Sequence, residues 1–311
     1  FLDTIYNFKP VKKVYFRSVD AFQYAIDSYY LLDVETNTAY IELANTVGIR
    51  HLQSNELNIL KTSTHGVGLQ IAHALDAGVR SIYIGLGGSA SNDMALGLLE
   101  ALGFIFLDSN GALITYSFKN LSKIHSYELP NSLQKKIQNC SFFAINDVLN
   151  PLCGPLGAAN IYGPQKGGSE ETILAMDGSF EAFVCRFNFP YPCDISLEGG
   201  GAAGGTAYGL KAFLNAQFIN GFDFLASIAC LEDLLVTQKY DCIISGEGSL
   251  DNTSFQGKLL GRLIDLTEKH QLPLLLVCGQ CHFDASALTN THIVELLDEE
   301  TPIAQCIAQP F

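Results

Sequence analysis

The sequence predicts an α/β fold of two domains, and three observations carry the prediction. An apolar run over 81–86 ends in Gly87-Gly88 and is followed by a helical pattern over 92–102, a strand–turn–helix unit. Near the other end, 241–245, 257–270 and 273–277 read as strand, helix and strand, an order that implies parallel pairing through a right-handed crossover. The chain has 311 residues, 48% hydrophobic and 16% charged, enough for a sizeable core and for two domains.

The elements follow in order. Val14-Tyr15-Phe16 is strand-like, within an opening segment dotted with aromatic residues. Residues 38–44 read as a strand or a short helix entry carrying Glu42. Ser63-Thr64-His65-Gly66 opens a helix over 69–77, with Leu69, Ile71, Ala72 and Leu75 apolar, and Gly78 stops it. After the strand over 81–86, Leu98, Leu99 and Leu102 form a core stripe at helical spacing. Gly103 ends that helix, and 104–107 returns as a strand. Residues 141–145 make another strand, leading into Asp147. Residues 150–169, rich in Gly and Pro, predict a long ordered loop. Helical composition marks 206–220 and 224–237, and 246–254 reads as a loop after the strand at 241–245. In open α/β sheets ligands bind beyond the carboxyl ends of strands, which puts Glu247 and Asp251 at the mouth of a site.

Charge and cysteine usage exclude several classes. The net charge is −14, and no Lys/Arg cluster suggests a nucleic-acid groove. No apolar run suits a transmembrane helix, and no signal-peptide pattern is seen. Nine cysteines include Cys278-Gly279-Gln280-Cys281, but no second CxxC accompanies it, so a four-cysteine zinc site lacks support. Buried or incidental thiols, reduced in a cytoplasmic protein, are expected.

Four motifs occur in a fixed order: Gly87-Gly88-Ser89-Ala90-Ser91-Asn92-Asp93; Asp147-Val148-Leu149-Asn150-Pro151-Leu152; Tyr162-Gly163-Pro164-Gln165-Lys166-Gly167-Gly168; and Gly246-Glu247-Gly248-Ser249-Leu250-Asp251, with the glycine run 199–205 between the last two. This set resembles the type 1 glycerate kinase family, whose motifs read approximately GGSATND, DVxNPL, FGPQKGA, GAGAAGG and GEGxxDxQT. The resemblance covers roughly residues 40–279. It implies two α/β domains with a cleft between them: a Rossmann-like parallel-sheet domain built from 1–35 plus 240–311, and an inserted α/β domain over 36–239. The family pattern begins earlier than Phe1, so its N-terminal segment is expected to be missing here. The implied activity is ATP-dependent phosphorylation of glycerate, the 2-hydroxyl favoured, with magnesium. Another small hydroxy acid as substrate, or a binding protein without turnover, remains as an alternative. A homodimer is compatible with the resemblance, and neither nucleic acid nor membrane is implied as a partner.

Phosphoryl transfer needs positioned oxygens, neutralised charge and a group that orients the attacking hydroxyl. No Walker A sequence and no protein-kinase HRD and DFG set is present. The candidate catalytic acids are Asp93, Asp147, Glu247 and Asp251, with Asp93 and Glu247 as magnesium ligands; the base among the four stays open. Gly87, Gly88, Ser89, Ser91, Asn92, Gly246 and Gly248 are candidates for binding phosphate or carboxylate oxygens through glycine-turn amides and small side chains. Asn150, Gln165 and Ser254 are candidate substrate contacts. Lys166 and Lys258 would offset negative charge in a protein whose global charge opposes its anionic ligands. Each has a plainer reading: Asp93 as the acid of a first helical turn, Asp147 and Asn150 as turn residues before Pro151, Glu247 and Asp251 as solvated loop acids, and the run 199–205 as close backbone packing. His65 reads as a packing or hydrogen-bonding residue. The Gln of the family's last motif is Thr253 here, and Asn146 stands where a small residue is usual.

Overall fold

The computed structural model describes residues 1–53, 55–250, 259–282, 288 and 290–297. The chain divides into two compact units, Phe1–Leu225 and Ala226–Phe311.

The first unit opens with α1 (Leu2–Phe8), β1 (Lys12–Val19), β2 (Ala25–Asp33) and β3 (Thr38–Glu42), then α2 (Leu43–Val47) and α3 (His65–Asp76). There follow β4 (Ser81–Gly85), α4 (Leu96–Leu102), β5 (Ile105–Leu107), β6 (Ser126–Glu128), α5 (Asn131–Gln138) and β7 (Ser141–Ile145). It closes with α6 (Ala158–Tyr162), α7 (Glu170–Arg186), α8 (Ala202–Leu214), β8 (Gln217–Ile219) and α9 (Gly221–Ile228), within which the boundary between units falls. Six strands form one sheet in the order β1-β2-β3-β4-β7-β8. The β1–β2–β3 meander is antiparallel, and β3, β4, β7 and β8 run parallel. Period-two alternation explains the two faces. Ala39, Ile41, Ile82, Ile84, Phe142 and Ala144 join one core with residues of α3, α4 and α8. Tyr40, Tyr83 and Phe143, in register across three strands, stack as an aromatic ladder on which Phe224 of α9 lies.

The second unit holds α10 (Leu231–Thr237), β9 (Ile243–Leu250), α11 (Leu259–His270), β10 (Leu274–Cys281) and β11 (Thr291–Glu295). Its three strands are parallel in the order β11-β10-β9. Leu260, Leu263, Ile264 and Leu266 make the buried stripe of α11, and Leu274, Leu276 and Cys278 are the buried positions of β10. Cys278 is thus a core thiol whose pKa burial raises, and the eight described cysteines are all unbridged.

The α/β class and the parallel strand–helix–strand order agree with the sequence reading, and several boundaries do not. Strands β1 and β2, within 1–35, are hydrogen-bonded into the sheet that also holds β3 and β4, because the β2–β3 connection is a tight antiparallel turn. Strand β9 runs on to Leu250, so 246–250 is paired with β10 and is not loop. Gly279 allows this, since a Cβ there would sit 2.6 Å from the Gly248 carbonyl oxygen. The 150–169 stretch contains α6 and a 3₁₀ turn at Pro164–Lys166, and the expected helix over 206–220 ends at Leu214, with β8 following.

Candidate active site

Four parallel strands of the first unit end at one edge, where the chain turns out of the sheet. Gly85 of β4 pairs with Ile145 of β7, and Leu86 N–H still reaches the Ile145 carbonyl at 3.1 Å. Gly87 and Asp147 therefore each lie two residues beyond one hydrogen-bonded strand pair. This is the edge at which open α/β sheets bind ligands.

The turn after β4 is fixed on several sides. The Ile49 amide donates to the Gly88 carbonyl, and the Ala90 amide donates to the Val47 carbonyl. Thr62 Oγ1 donates to the Ala90 carbonyl at 3.0 Å. Gly88 has φ +69°, where glycine carries no steric penalty. Among the described residues, the N–H groups of Gly87, Gly88 and Ser89 donate to no acceptor. Gly87 and Gly88 are exposed, and a Cβ on Gly87 would meet nothing within 4 Å. Successive free amides in such a turn make an anion-binding concavity.

Lys166 lies on the buried side of this turn. It is 2% exposed, and its Nζ donates to Ser89 Oγ and to the Ser91 carbonyl, both at 2.7 Å. Burial brings its pKa down from 10.5 to about 7, against an opposing pull from the Asp93 charge. Gln165, next in the chain, is exposed.

Asp93 is 0% exposed and wholly engaged. Its Oδ2 accepts from the Thr64 amide at 2.7 Å, from Thr64 Oγ1 at 2.9 Å and from the Gly97 amide at 3.3 Å; its Oδ1 accepts from Thr64 Oγ1 and from the Ala95 amide. Burial raises its pKa, with these donors pulling the other way. A carboxylate enclosed by N–H and O–H donors has no face left for a cation. Asp93, expected as a magnesium ligand and hydroxyl-activating acid, ties Thr64 to the residues that lead into α4. Helix α4 also starts later than expected. Met94 and Ala95 are left-handed, at φ +51° and +62°, so helical backbone begins only at Leu96.

The glycine run 199–205 packs directly against this segment. A Cβ on Gly204 would lie 2.2 Å from the Ser91 carbonyl oxygen, and one on Gly209 would lie 2.1 Å from that of Met94. The Met94 amide donates to the Gly204 carbonyl. Ser91 Oγ and Asn92 Oδ1 are buried with no hydrogen-bond partner among the described residues.

Asp147 is exposed, and its Oδ1 accepts from the Gly221 amide at the start of α9, at 2.7 Å. Its Oδ2 accepts nothing among the described residues. Asn150, expected as a substrate contact, closes its own loop, donating to the Leu156 carbonyl and accepting from the Tyr162 hydroxyl. In the second unit, Glu247 is exposed on β9 between Gly246 and Gly248. Asp251, Ser254 and Lys258 lie outside the described residues. No group of three metal-ligating side chains occurs among those described.

Sequence reasoning missed the 62–64 turn and the Asn220-Gly221 corner that holds Asp147. The first carried a signal: Thr62-Ser63-Thr64 is a hydroxyl run before a helix, a pattern that satisfies free donors and acceptors at turns. The second carried none, because residue 221 is distant in sequence from Asp147.

The comparisons decide the family. A profile of the glycerate kinase family matches residues 1–310. The chain belongs to the glycerate kinase family. It is 32% identical over 254 residues to the glycerate 2-kinase of Escherichia coli strain K12, covering 81% of this chain and 65% of that one. With the glycerate kinase of Bacillus subtilis strain 168 it shares 32% over 275 residues, 88% of this chain and 71% of the relative. A crystal structure from Salmonella typhimurium LT2, provisionally named glycerate kinase 2, superposes with TM-score 0.75 at 29% identity, over 96% of this chain and 79% of that one. The matched region thus spans about two thirds of the curated kinases' own length. In this family member, none of the described helices is long and apolar enough to cross a membrane.

Proposed function

We propose that this chain phosphorylates glycerate with ATP, the 2-hydroxyl being the acceptor and 2-phosphoglycerate and ADP the products, in the cytoplasm. The observation that supports the reading is that the open amides at 87–89 and the Asp147 carboxylate each follow the same hydrogen-bonded strand pair of a glycerate kinase family fold. The amides take an oxyanion, either a nucleotide phosphate or the glycerate carboxylate. Asp147, held through Oδ1 by Gly221, presents Oδ2 to the substrate hydroxyl. As the hydroxyl oxygen bonds to the γ-phosphorus, its proton passes to that carboxylate, and the bond from the γ-phosphorus to the ADP oxygen breaks. Magnesium, bound with ATP, would neutralise phosphate charge. Within the first unit, Asp147 is the exposed carboxylate that would hold it.

The test is glycerate-dependent ADP release with magnesium-ATP and D-glycerate, with phosphorus NMR reading the product. Phosphate on the 2-hydroxyl is expected. Phosphate on the 3-hydroxyl overturns the regiochemistry, and no glycerate-dependent ADP overturns the substrate. Asp147→Asn should lower kcat by about 10² to 10⁴-fold with an unchanged circular dichroism spectrum. Near-normal turnover would remove Asp147 from the proton path.

A further inference from the structure

We infer that Lys166 is a positioning residue that works through the 87–91 turn, and that it is not a substrate contact. The inference rests on the proposal that this turn binds an oxyanion of ATP or of glycerate. Two bonds at 2.7 Å place the ammonium under the turn, one on a side chain and one on a backbone carbonyl. Both partners are themselves buried, Ser89 at 6% and Ser91 at 0% exposure. The exposed part of the turn is Gly87 and Gly88, on the solvent side.

The chain around Lys166 is shaped to drive this side chain inward. A Cβ on Gly163 would meet the Ala159 carbonyl oxygen at 2.2 Å, and one on Gly167, at φ +83°, would meet that of Leu57 at 2.4 Å. Only glycines let the 163–168 corner approach so closely. The lysine stem then crosses buried space and delivers one cationic head to two acceptors. A compact ammonium with three rotatable donors suits two acceptors in one socket; a planar guanidinium does not.

The physical consequence is local. With Ser89 Oγ and the Ser91 carbonyl held from below, the turn keeps its shape, and the unbonded amides of 87–89 keep their places, before any ligand arrives. Such preorganisation strengthens binding by removing the ordering penalty on the loop.

The experiment compares the intact chain with Lys166→Met, Lys166→Arg, Ser89→Ala and the Lys166→Met/Ser89→Ala double variant. Isothermal titration is run with ADP and with D-glycerate separately, alongside hydrogen exchange of the segment 86–93 without ligand. Lys166→Met should weaken one of the two anions about tenfold or more and leave the other within about twofold. Loss on the ADP arm assigns the turn to phosphate, and loss on the glycerate arm assigns it to carboxylate. Lys166→Arg should fail to rescue. The double variant should bind no more weakly than Lys166→Met, because both changes break the same support. The slope of affinity against salt should match wild type, since no direct ion pair is lost.

Additive losses together with a reduced salt slope would make Lys166 a direct contact and overturn the inference. So would unchanged affinity for both ligands. If wild type binds neither ligand, the proposed function fails, and hydrogen exchange still decides this inference: faster exchange confined to 86–93 in Lys166→Met supports it, and unchanged exchange overturns it.

Discussion

Lys166 also makes a quantitative prediction about stability. Replacing it by Met removes one titrating group from the core and little volume. Burial holds the native pKa near 7, while the unfolded chain keeps the ordinary 10.5. Between those values the unfolded state binds a proton that the native state does not. The native pKa is depressed, so stability from this group is complete above 10.5 and is lost as pH falls through about 7. Within the window each pH unit is worth about 1.4 kcal/mol, so from about pH 7.5 to about pH 9.5 wild type gains roughly 2.5 kcal/mol relative to Lys166→Met. The variant also leaves the Ser91 carbonyl unpaired, a constant penalty of about 1–3 kcal/mol that moves the difference curve without tilting it. The assay is urea unfolding followed by far-UV circular dichroism at several pH values, with the variant subtracted from wild type so that other titrations cancel. A flat difference curve, or one that falls with pH, would refute a buried lysine of depressed pKa beneath the turn.

Three further outcomes follow from the same geometry. Asp93→Ala strands the Thr64, Ala95 and Gly97 donors and should destabilise by about 3–5 kcal/mol, seen as a Tm lower by roughly 8–15 °C; a change under a degree would return Asp93 to the candidate ligands. Gly204→Ala meets the Ser91 carbonyl at 2.2 Å in a left-handed conformation and should destabilise by about 2–4 kcal/mol in urea titration. Gly178→Ala, within α7 and with nothing within 4 Å of its Cβ, should instead stabilise by about 0.5–1 kcal/mol by the same measurement.

Much of the fold was legible because its signals are local. The run at 81–86 and the strand–helix–strand order near the C-terminus depend on period and punctuation, and both stand in the structure. Boundaries failed where distant chain decides the conformation. Met94 and Ala95 look helical by composition, yet the glycine run 199–205 presses on 91–94 and holds them left-handed. The end of β9 failed similarly: glycines at 246 and 248 read as loop, and pairing with β10 makes them strand. The pairing of the first strands with β3, a turn away, is likewise a matter of tertiary structure.

The sequence by itself determined the family and the α/β class, because ordered motifs and hydrophobic periods are properties of the chain in one dimension. Tertiary structure alone divided the labour among their polar residues. A carboxylate or an ammonium has the same formula whether buried or exposed, and its role depends on which donors, acceptors and solvent surround it. Enclosed by donors, Asp93 became a tether; placed beneath a turn, Lys166 became its support. Asp147, held through Oδ1 by a glycine that follows the neighbouring strand β8, kept its other oxygen open.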